Sequence, residues 1–538
     1  MKNKDVLLAI VLGLLAFFVV DLFFPKTPGR SVLPTTESAV VETETVKSVP
    51  IEEGPFVRVH NALVDGRISL RGGAITDWHL SAYKDTLASD SPTVQVLSAQ
   101  QTAQSGFSST TTEVPQPDTL WQADQQELTP NKPLTLRWRN TQGVEFVRVF
   151  VLDDNYMLTI TDRAVNRSQQ KAVVRWRGQI TAINPSMEKS VVHQGFVGVM
   201  DDILQEETFD AVKKDGQKHF TTQEGWVGIT SKYWLTSLAF AGQGVKQTDY
   251  RYQQQQNNAI FTAQALSEER ILAPGQSTEQ VAYIFVGPKE YKLLAAYQQA
   301  LNIPKFDLAI DFGWYFFLTK PFLLLLGWFA HWIGNMGVAI LLLATLVRLL
   351  MLPVASKSFE SMAKMKKLQP EMTRLQEMYK NDKMRLNQEM LLLYKKHHVS
   401  PASGCLPVLI QIPVFFSLYK VLSVAIEMRQ APFVWWIHDL SAPDPSSVFT
   451  LFGYVPWPIP SFLNLGVLPV LMGITMYLQQ KMTPTTNPDQ KTNPALQWMP
   501  ILFTFMFGRM ASGLVLYWTW SNILSMIQQK YIMRKTGS

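Results

Sequence analysis

Arg348 is the position in this 538-residue chain where residue type and surroundings clash most sharply. It lies inside the apolar run 335–356, which is long enough to cross a bilayer core of about 30 Å. An arginine there costs on the order of 3 kcal/mol. It precedes Ser356, the expected exit of the run, by eight residues, or roughly 12 Å at 1.5 Å per residue. Two chemistries fit: the long side chain snorkels to the interface, or its charge faces a wet interior and works there. Position alone leaves both open. Thr345 falls three residues earlier on the same helix face. Gln411, in the next apolar run, lies at comparable depth. Polar groups at one level suggest a wet cavity in the inner-leaflet half, because hydrocarbon offers them no partner. Lys420 follows Gln411 by nine residues, about 180° around a helix. It is expected to face away and snorkel outward.

Other chemistry-bearing residues carry blander expectations. Asp153, Asp154 and Asp162 could form an acidic group, but the strand-rich context makes them strand-end turn residues. His397 and His398 are expected to be solvated rather than metal-binding. No metal-ligand spacing or Gly-rich phosphate loop stands out, so neither metal nor cofactor is expected. Cys405, the single cysteine, precludes an intramolecular disulfide and reads as a packing residue. Met362, Met365, Met372, Met378, Met384 and Met390 mark 356–400 as a helical hairpin with an adaptable apolar surface. They either hold the hairpin together or bind hydrophobic clients.

The elements that must position these residues follow from patterning. Polar residues crowd between 25 and 310, and apolar runs sit at 6–24 and after 313, so one soluble and one membrane domain are expected. Residues 1–24 read as an uncleaved transmembrane anchor, and 25–50 as a flexible tether. Residues 51–310 read as an all-β sandwich. Runs beginning at Leu134, Glu145, Tyr156 and Val173 alternate or are rich in β-branched and aromatic residues. A helix is predicted over Pro288–Leu301. Residues 311–332, interrupted by Lys320 and Pro321, suit an amphipathic helix in the membrane interface. Five spans follow within 333–530, near 333–354, 405–428, 462–480, 496–507 and 512–527, before the tail 531–538. The net charge of +6 could suggest nucleic acid. Its placement argues against DNA: ten Lys and Arg lie between Lys357 and Lys396, flanked by apolar spans. That bias puts both termini and the hairpin in the cytoplasm and the β domain outside.

Ser361-Met-Ala-Lys-Met, Gly404-Cys-Leu-Pro-Val-Leu-Ile-Gln-Ile-Pro, Glu427-Met-Arg-Gln-Ala-Pro-Phe, Trp436-Ile-His-Asp-Leu-Ser and Ser512-Gly-Leu-Val-Leu-Tyr closely resemble the YidC/Oxa/Alb insertase family. The resemblance covers about 314–529. Leu70-Arg-Gly-Gly and Gly225-Trp-Val are similar to its Gram-negative form with a large periplasmic domain. It implies five core helices plus an N-terminal anchor, and an all-β periplasmic supersandwich. It implies a non-enzymatic insertase and chaperone in the bacterial inner membrane, working alone or beside the Sec translocon. A hydrophilic groove would open to cytoplasm and lipid, with Arg348, Thr345, Gln411 and Trp518 as client-binding positions; Trp518 stands where the family pattern has a tyrosine. The hairpin, through Met362, Lys364, Met365, Lys366 and Met390, would contact nascent membrane proteins, the ribosome and signal recognition components. The alternative, a polytopic transporter or channel, predicts polar residues continuing to the outer face.

Overall fold

The computed structural model describes residues 54–186, 192–240, 244–380, 382–397, 399, 406–450, 465–482 and 494–535. The expected anchor 1–24, the tether 25–50, His398, Cys405 and the tail residues 536–538 lie outside them. The chain divides into two compact units, one ending at Asp311 and the other beginning at Phe312.

The first unit is built of a ten-stranded and a nine-stranded sheet. Strand 144–152 shows why: Val144, Phe146, Arg148, Phe150 and Leu152 are buried while their neighbours are less so, the period-two signature of a pleated strand. The four runs singled out from sequence fall in strands 134–139, 144–152, 157–166 and 172–183. Two elements differ from expectation. A short helix α1 (Phe209–Asp215) interrupts the strands, capped by the Thr208 side chain, which accepts from the Ala211 N–H. Helix α2 (Tyr291–Ala300) starts later than predicted, because Pro288 ends the preceding strand.

The acidic group also separates. Asp153 is a turn residue that accepts from the Asn155 and Met157 backbone N–H groups. Asp162 is not: it lies mid-strand and buried, paired with Arg148 at 2.6 Å. Arg148 also donates to the Gly73 carbonyl at 3.0 Å and to the Ser105 carbonyl, and lies over the Trp121 ring. Asp162 accepts from Ser105 Oγ and from Trp176 Nε1. Gly73, at φ +69°, has no room for a side chain: a Cβ there would stand 2.6 Å from the guanidinium.

The second unit is helical. Helix α3 (Phe316–Ile333) runs unbroken through Lys320 and Pro321. It is the one described helix long and apolar enough by itself to cross a membrane, where sequence suggested an interfacial helix. Gly334, left-handed, ends it, and Asn335 caps helix α4 (Met336–Leu350) by accepting from Val338 N–H. The expected span 333–354 is therefore shorter at both ends. At Met351 the chain bends by 65° into helix α5 (Leu352–Lys367). Pro353 sits in the first turn of α5, where its missing N–H costs nothing. Helices α6 (Gln369–Met378) and α7 (Lys383–Lys396) complete the hairpin region. Then come α8 (Leu406–Val424), α9 (Val467–Met482), α10 (Pro494–Phe507) and α11 (Ser512–Lys535).

Candidate functional site

Helix α11 changes what it buries halfway along. Its first turns bury Leu514, Val515, Leu516 and Tyr517; its later turns bury Thr519, Asn522, Ser525, Gln528 and Gln529. Steps of three and four keep the later group along one side of the helix. Outward-facing positions nearby are apolar: Ile527 and Tyr531 on α11, Leu349 and Leu350 on α4, Ile474 on α9 and Trp498 on α10 are all exposed. Polar inside and apolar outside is the arrangement lipid demands of a helix bundle.

Most of the sequence-singled residues converge on this helix. Arg348, in the last turn of α4, donates through Nη2 to the Ser521 carbonyl at 3.0 Å and to Ser525 Oγ. Both acceptors are neutral, and no carboxylate pairs with Arg348 among the described residues. Thr345 Oγ1 donates to the Leu341 carbonyl at 2.7 Å and accepts from Trp520 Nε1 at 2.9 Å. Gln411 donates through Nε2 to the Tyr517 hydroxyl at 2.7 Å. Arg348, Thr345 and Gln411, from two different helices, thus meet successive turns of α11.

Trp518 is not part of this polar set. Its ring meets Phe415 edge-on, with centroids 4.8 Å apart, and lies 5.2 Å from Phe507. One residue along a helix is 100° of rotation, so Tyr517 and Trp518 face different neighbours. Sequence reading also passed over Ser521, Ser525, Trp520 and Asn522, which donates to Thr475 Oγ1 on α9 at 3.2 Å. The available signal was the spacing 519, 522, 525, 529 within an apolar span. Lys420 lays its stem along Gly313, where an added Cβ would stand 3.4 Å from Cε.

One loop fastens several helix starts. Asn335 donates to the Phe433 carbonyl, and Ser512 and Gly513 donate their N–H groups to the Ala442 and Leu440 carbonyls. Asp444 accepts from the Leu468 N–H, and Ser446 Oγ from the Val467 N–H, at the start of α9. Segment 431–446 therefore ties the N-terminal ends of α4, α9 and α11.

A family model described as 60Kd inner membrane protein matches residues 328–538, and one described as YidC periplasmic domain matches 56–325. Membrane protein insertase YidC of Rickettsia bellii is 41% identical over 510 residues, covering 93% of this chain and 91% of its own. That of Rickettsia felis is 41% identical, covering 92% and 90%. The chain belongs to the YidC family of membrane protein insertases. A crystal structure of an active YidC insertase with its first transmembrane domain resolved covers 98% of this chain and 99% of that one, at 16% identity and a TM-score of 0.37.

In this YidC-family chain the hairpin methionines divide in two. Met365, Met372 and Met390 pack with Leu368, Leu393 and Val399 into a core. Met362 joins Ala355, Phe359 and Ile532 of α11. Met362, Met365 and Met390 are only 6, 3 and 8% exposed, which corrects their expected place on a contact surface. Met365 and Met390 pack inside the hairpin and Met362 packs against α11, which takes all three off the surface. The exposed apolar residues are Met378 and Met384, at 61 and 78%, with Leu391 and Leu392. Lys364 and Lys366 are exposed. His397 stands 3.9 Å from Glu371, a loose surface pair.

Proposed function

We propose that this chain inserts and folds membrane proteins of the bacterial inner membrane, with the polar strip of α11 and its partners on α4 and α8 as the client-facing site. The observation that carries this reading is the charge of Arg348, half-buried in the helical unit and held by two neutral oxygens. A guanidinium matched to a carboxylate would be structural; this one keeps its charge for a visiting group. A client brings a short hydrophilic tail and an apolar helix. The tail enters the polar strip, where Arg348 attracts its acidic groups, and Thr345, Gln411 and Asn522 offer hydrogen bonds that replace water. The apolar helix leaves sideways into lipid, driven by burial of its surface. A potential negative inside adds ~2.3 kcal/mol per 100 mV for each negative charge moved outward. No covalent step is required.

The reading extends to topology and partners. The chain crosses the membrane several times, with both termini and the hairpin in the cytoplasm and the β unit in the periplasm. Lys364, Lys366 and the exposed Met378 and Met384 suit contact with ribosomes, signal recognition components and nascent chains; the Sec translocon and surrounding lipid complete the setting. A transporter or channel would need polar lining along the whole of α11, whereas its first turns bury Leu514, Val515 and Leu516.

The test is insertion of a single-span client into liposomes holding the purified protein. Arg348→Ala is expected to lose insertion of a client with an acidic tail, and Arg348→Lys to keep most of it, since charge rather than fork geometry is used. Undiminished insertion by Arg348→Ala would sink the charge-attraction role.

A further inference from the structure

One turn of the helical unit holds a large apolar ring outward at a conformational cost. Trp435 has φ +54°, in the left-handed region that a bulky side chain rarely adopts, and it is 82% exposed. It stands at the tip of the turn 434–437. The Ile437 N–H closes that turn on the Val434 carbonyl at 3.2 Å, and the Phe433 N–H donates to the Ile437 carbonyl at 3.0 Å. Val434 beside it is exposed as well. A ring this exposed gains little from the core, so the surrounding loop imposes its strained backbone.

The bracing comes from several elements. Trp436 stacks on Trp435 with centroids 5.7 Å apart and donates through Nε1 to Asp444 Oδ1 at 3.1 Å. Asp444 is buried and also accepts from the Ser446 and Leu468 N–H groups, which fixes it to the start of α9. Phe433 seats on Gly337 of α4, where an added Cβ would stand 2.1 Å from its ring. The Gln430 N–H donates to Asp439 Oδ1, which also accepts from the Ser441 N–H. These contacts hold the turn in place and leave the Trp435 ring largely uncovered.

The level of the tip identifies what it meets. Asn335, which caps α4, donates through Nδ2 to the Phe433 carbonyl at 2.9 Å. The turn therefore lies at the junction where α3 ends and α4 begins. The last turns of α3 expose Trp328, Trp332 and Ile333 at that junction. Exposed tryptophans gathered at the ends of apolar helices are the pattern of a membrane interface, where an indole sets its apolar body among acyl chains and its N–H among headgroups. Val434 and Trp435 carry no charge, so the contact is apolar burial rather than recognition of a charged headgroup. We propose that the turn 434–437 is an interfacial anchor, with the Trp435 ring entering the headgroup–acyl boundary of the outer leaflet. The anchor rests on the membrane reading given above for the helical unit. Segment 431–446 also fastens the starts of α4, α9 and α11, so the anchor sets the depth of those ends in lipid. From Asn335 to Arg348 α4 rises about 20 Å, and the same anchor fixes how far Arg348 lies beneath the outer surface.

The test uses the full chain in liposomes of phosphatidylcholine and phosphatidylglycerol, with Cys405→Ser removing the single cysteine. New single cysteines are placed at the tip by Val434→Cys, at an exposed position of α9 by Ile474→Cys and in an exposed β-unit turn by Asp90→Cys, and each is labelled with the fluorophore NBD. Quenching by a lipid with a nitroxide high on its acyl chain is compared with quenching by iodide in the water. The tip label is expected to be quenched by the lipid and to be at least about threefold less sensitive to iodide than the Asp90→Cys label. Trp435→Gly suits the left-handed backbone and removes only the ring; it is expected to raise iodide quenching of the tip at least about twofold. Trp435→Tyr is expected to keep the protection. A tip as open to iodide as the Asp90→Cys label, a tip shielded from both quenchers by a protein cover, or a tip unmoved by Trp435→Gly overturns the anchor. Loss of lipid quenching at the tip alone overturns only the anchor, whereas its loss at Ile474→Cys as well overturns the membrane reading with it.

Discussion

Two arginines, the buried Arg148 of the β unit and the half-buried Arg348 of the helical unit, show how differently the same side chain is used. Arg148 in the β unit has a carboxylate at 2.6 Å, and its second nitrogen donates to a carbonyl at 3.0 Å. Arg348 in the helical unit has a carbonyl and a hydroxyl and no carboxylate. The surroundings differ in parallel. The β unit buries Trp78, Phe146, Phe150 and Phe285, while the second half of α11 buries Asn522, Ser525 and Gln529. A matched charge inside an apolar sandwich holds two sheets together. An unmatched charge inside a polar strip is held by neutral oxygens alone, which is what the proposed attraction of an acidic client tail rests on.

The sharpest way to break the contrast is to remove the matched arginine. Arg148→Met is expected to destabilise the β unit by about 3–5 kcal/mol, because Asp162 is left as a buried, unpaired charge. Urea unfolding followed by tryptophan fluorescence reads the loss, and adding Asp162→Leu should return much of it. A single-mutant loss below about 1 kcal/mol would mean that Arg148 is no more structural than Arg348.

Acid separates the β unit's charges further. Burial alone would raise the Asp249 carboxyl, but hydrogen bonds from Gln264 and His219 and the charge of Arg251 outweigh it and hold the group below its usual range. A carboxyl depressed in the folded state adds stability above its unfolded value near 3.9, and loses it as pH falls through the folded value. Asp249→Asn should therefore cost about 1.5–3 kcal/mol at neutral pH. The gap between it and wild type should close below about pH 4. A gap that persists to pH 2 would refute the ionic role.

In the helical unit the expected effect is on rate. Arg348→Met should slow insertion of an acidic-tailed client about tenfold, or ~1.4 kcal/mol, while leaving the unfolding of the β unit unchanged. Insertion of a client with a neutral tail should change far less; equal slowing of both would show that the arginine only shapes the helix packing. The smallest effect concerns the Gln411–Tyr517 bond. A double-mutant cycle with Gln411→Leu and Tyr517→Phe should give a coupling of about 1 kcal/mol in thermal stability. A coupling near zero would leave the two residues as independent neighbours.

Sequence showed much of this and missed the rest for physical reasons. Alternation marked the strand 144–152 but could not say that Arg148 takes an inward place, because its partner lies a hairpin away and Ser105 lies in the other sheet. Asp162 looked like a turn residue for the same reason. Arg348, Thr345 and Gln411 stood out because polar residues in apolar runs are conspicuous. Ser521, Ser525 and Asn522 did not, because small polar residues in a span raise little alarm one by one. Trp518 meets Phe415 and Phe507 while Tyr517 meets Gln411, a split that a 100° turn per residue produces and that sequence alone does not reveal. The hairpin methionines were legible as helical and apolar, but their inward or outward sense depends on how α6 and α7 pack.

The 65° turn at Met351 has a mechanical consequence. Helix α5 is not only the exit from α4: Ala355, Phe359 and Met362 on it grip Ile532, and Gln528 donates to the Leu352 carbonyl beside the corner. The same α11 carries Ser521 and Ser525, the residues that hold Arg348. The angle makes α5 an arm and α11 the shaft it is keyed to. The arm of the hairpin and the partners of the arginine therefore sit on one and the same helix.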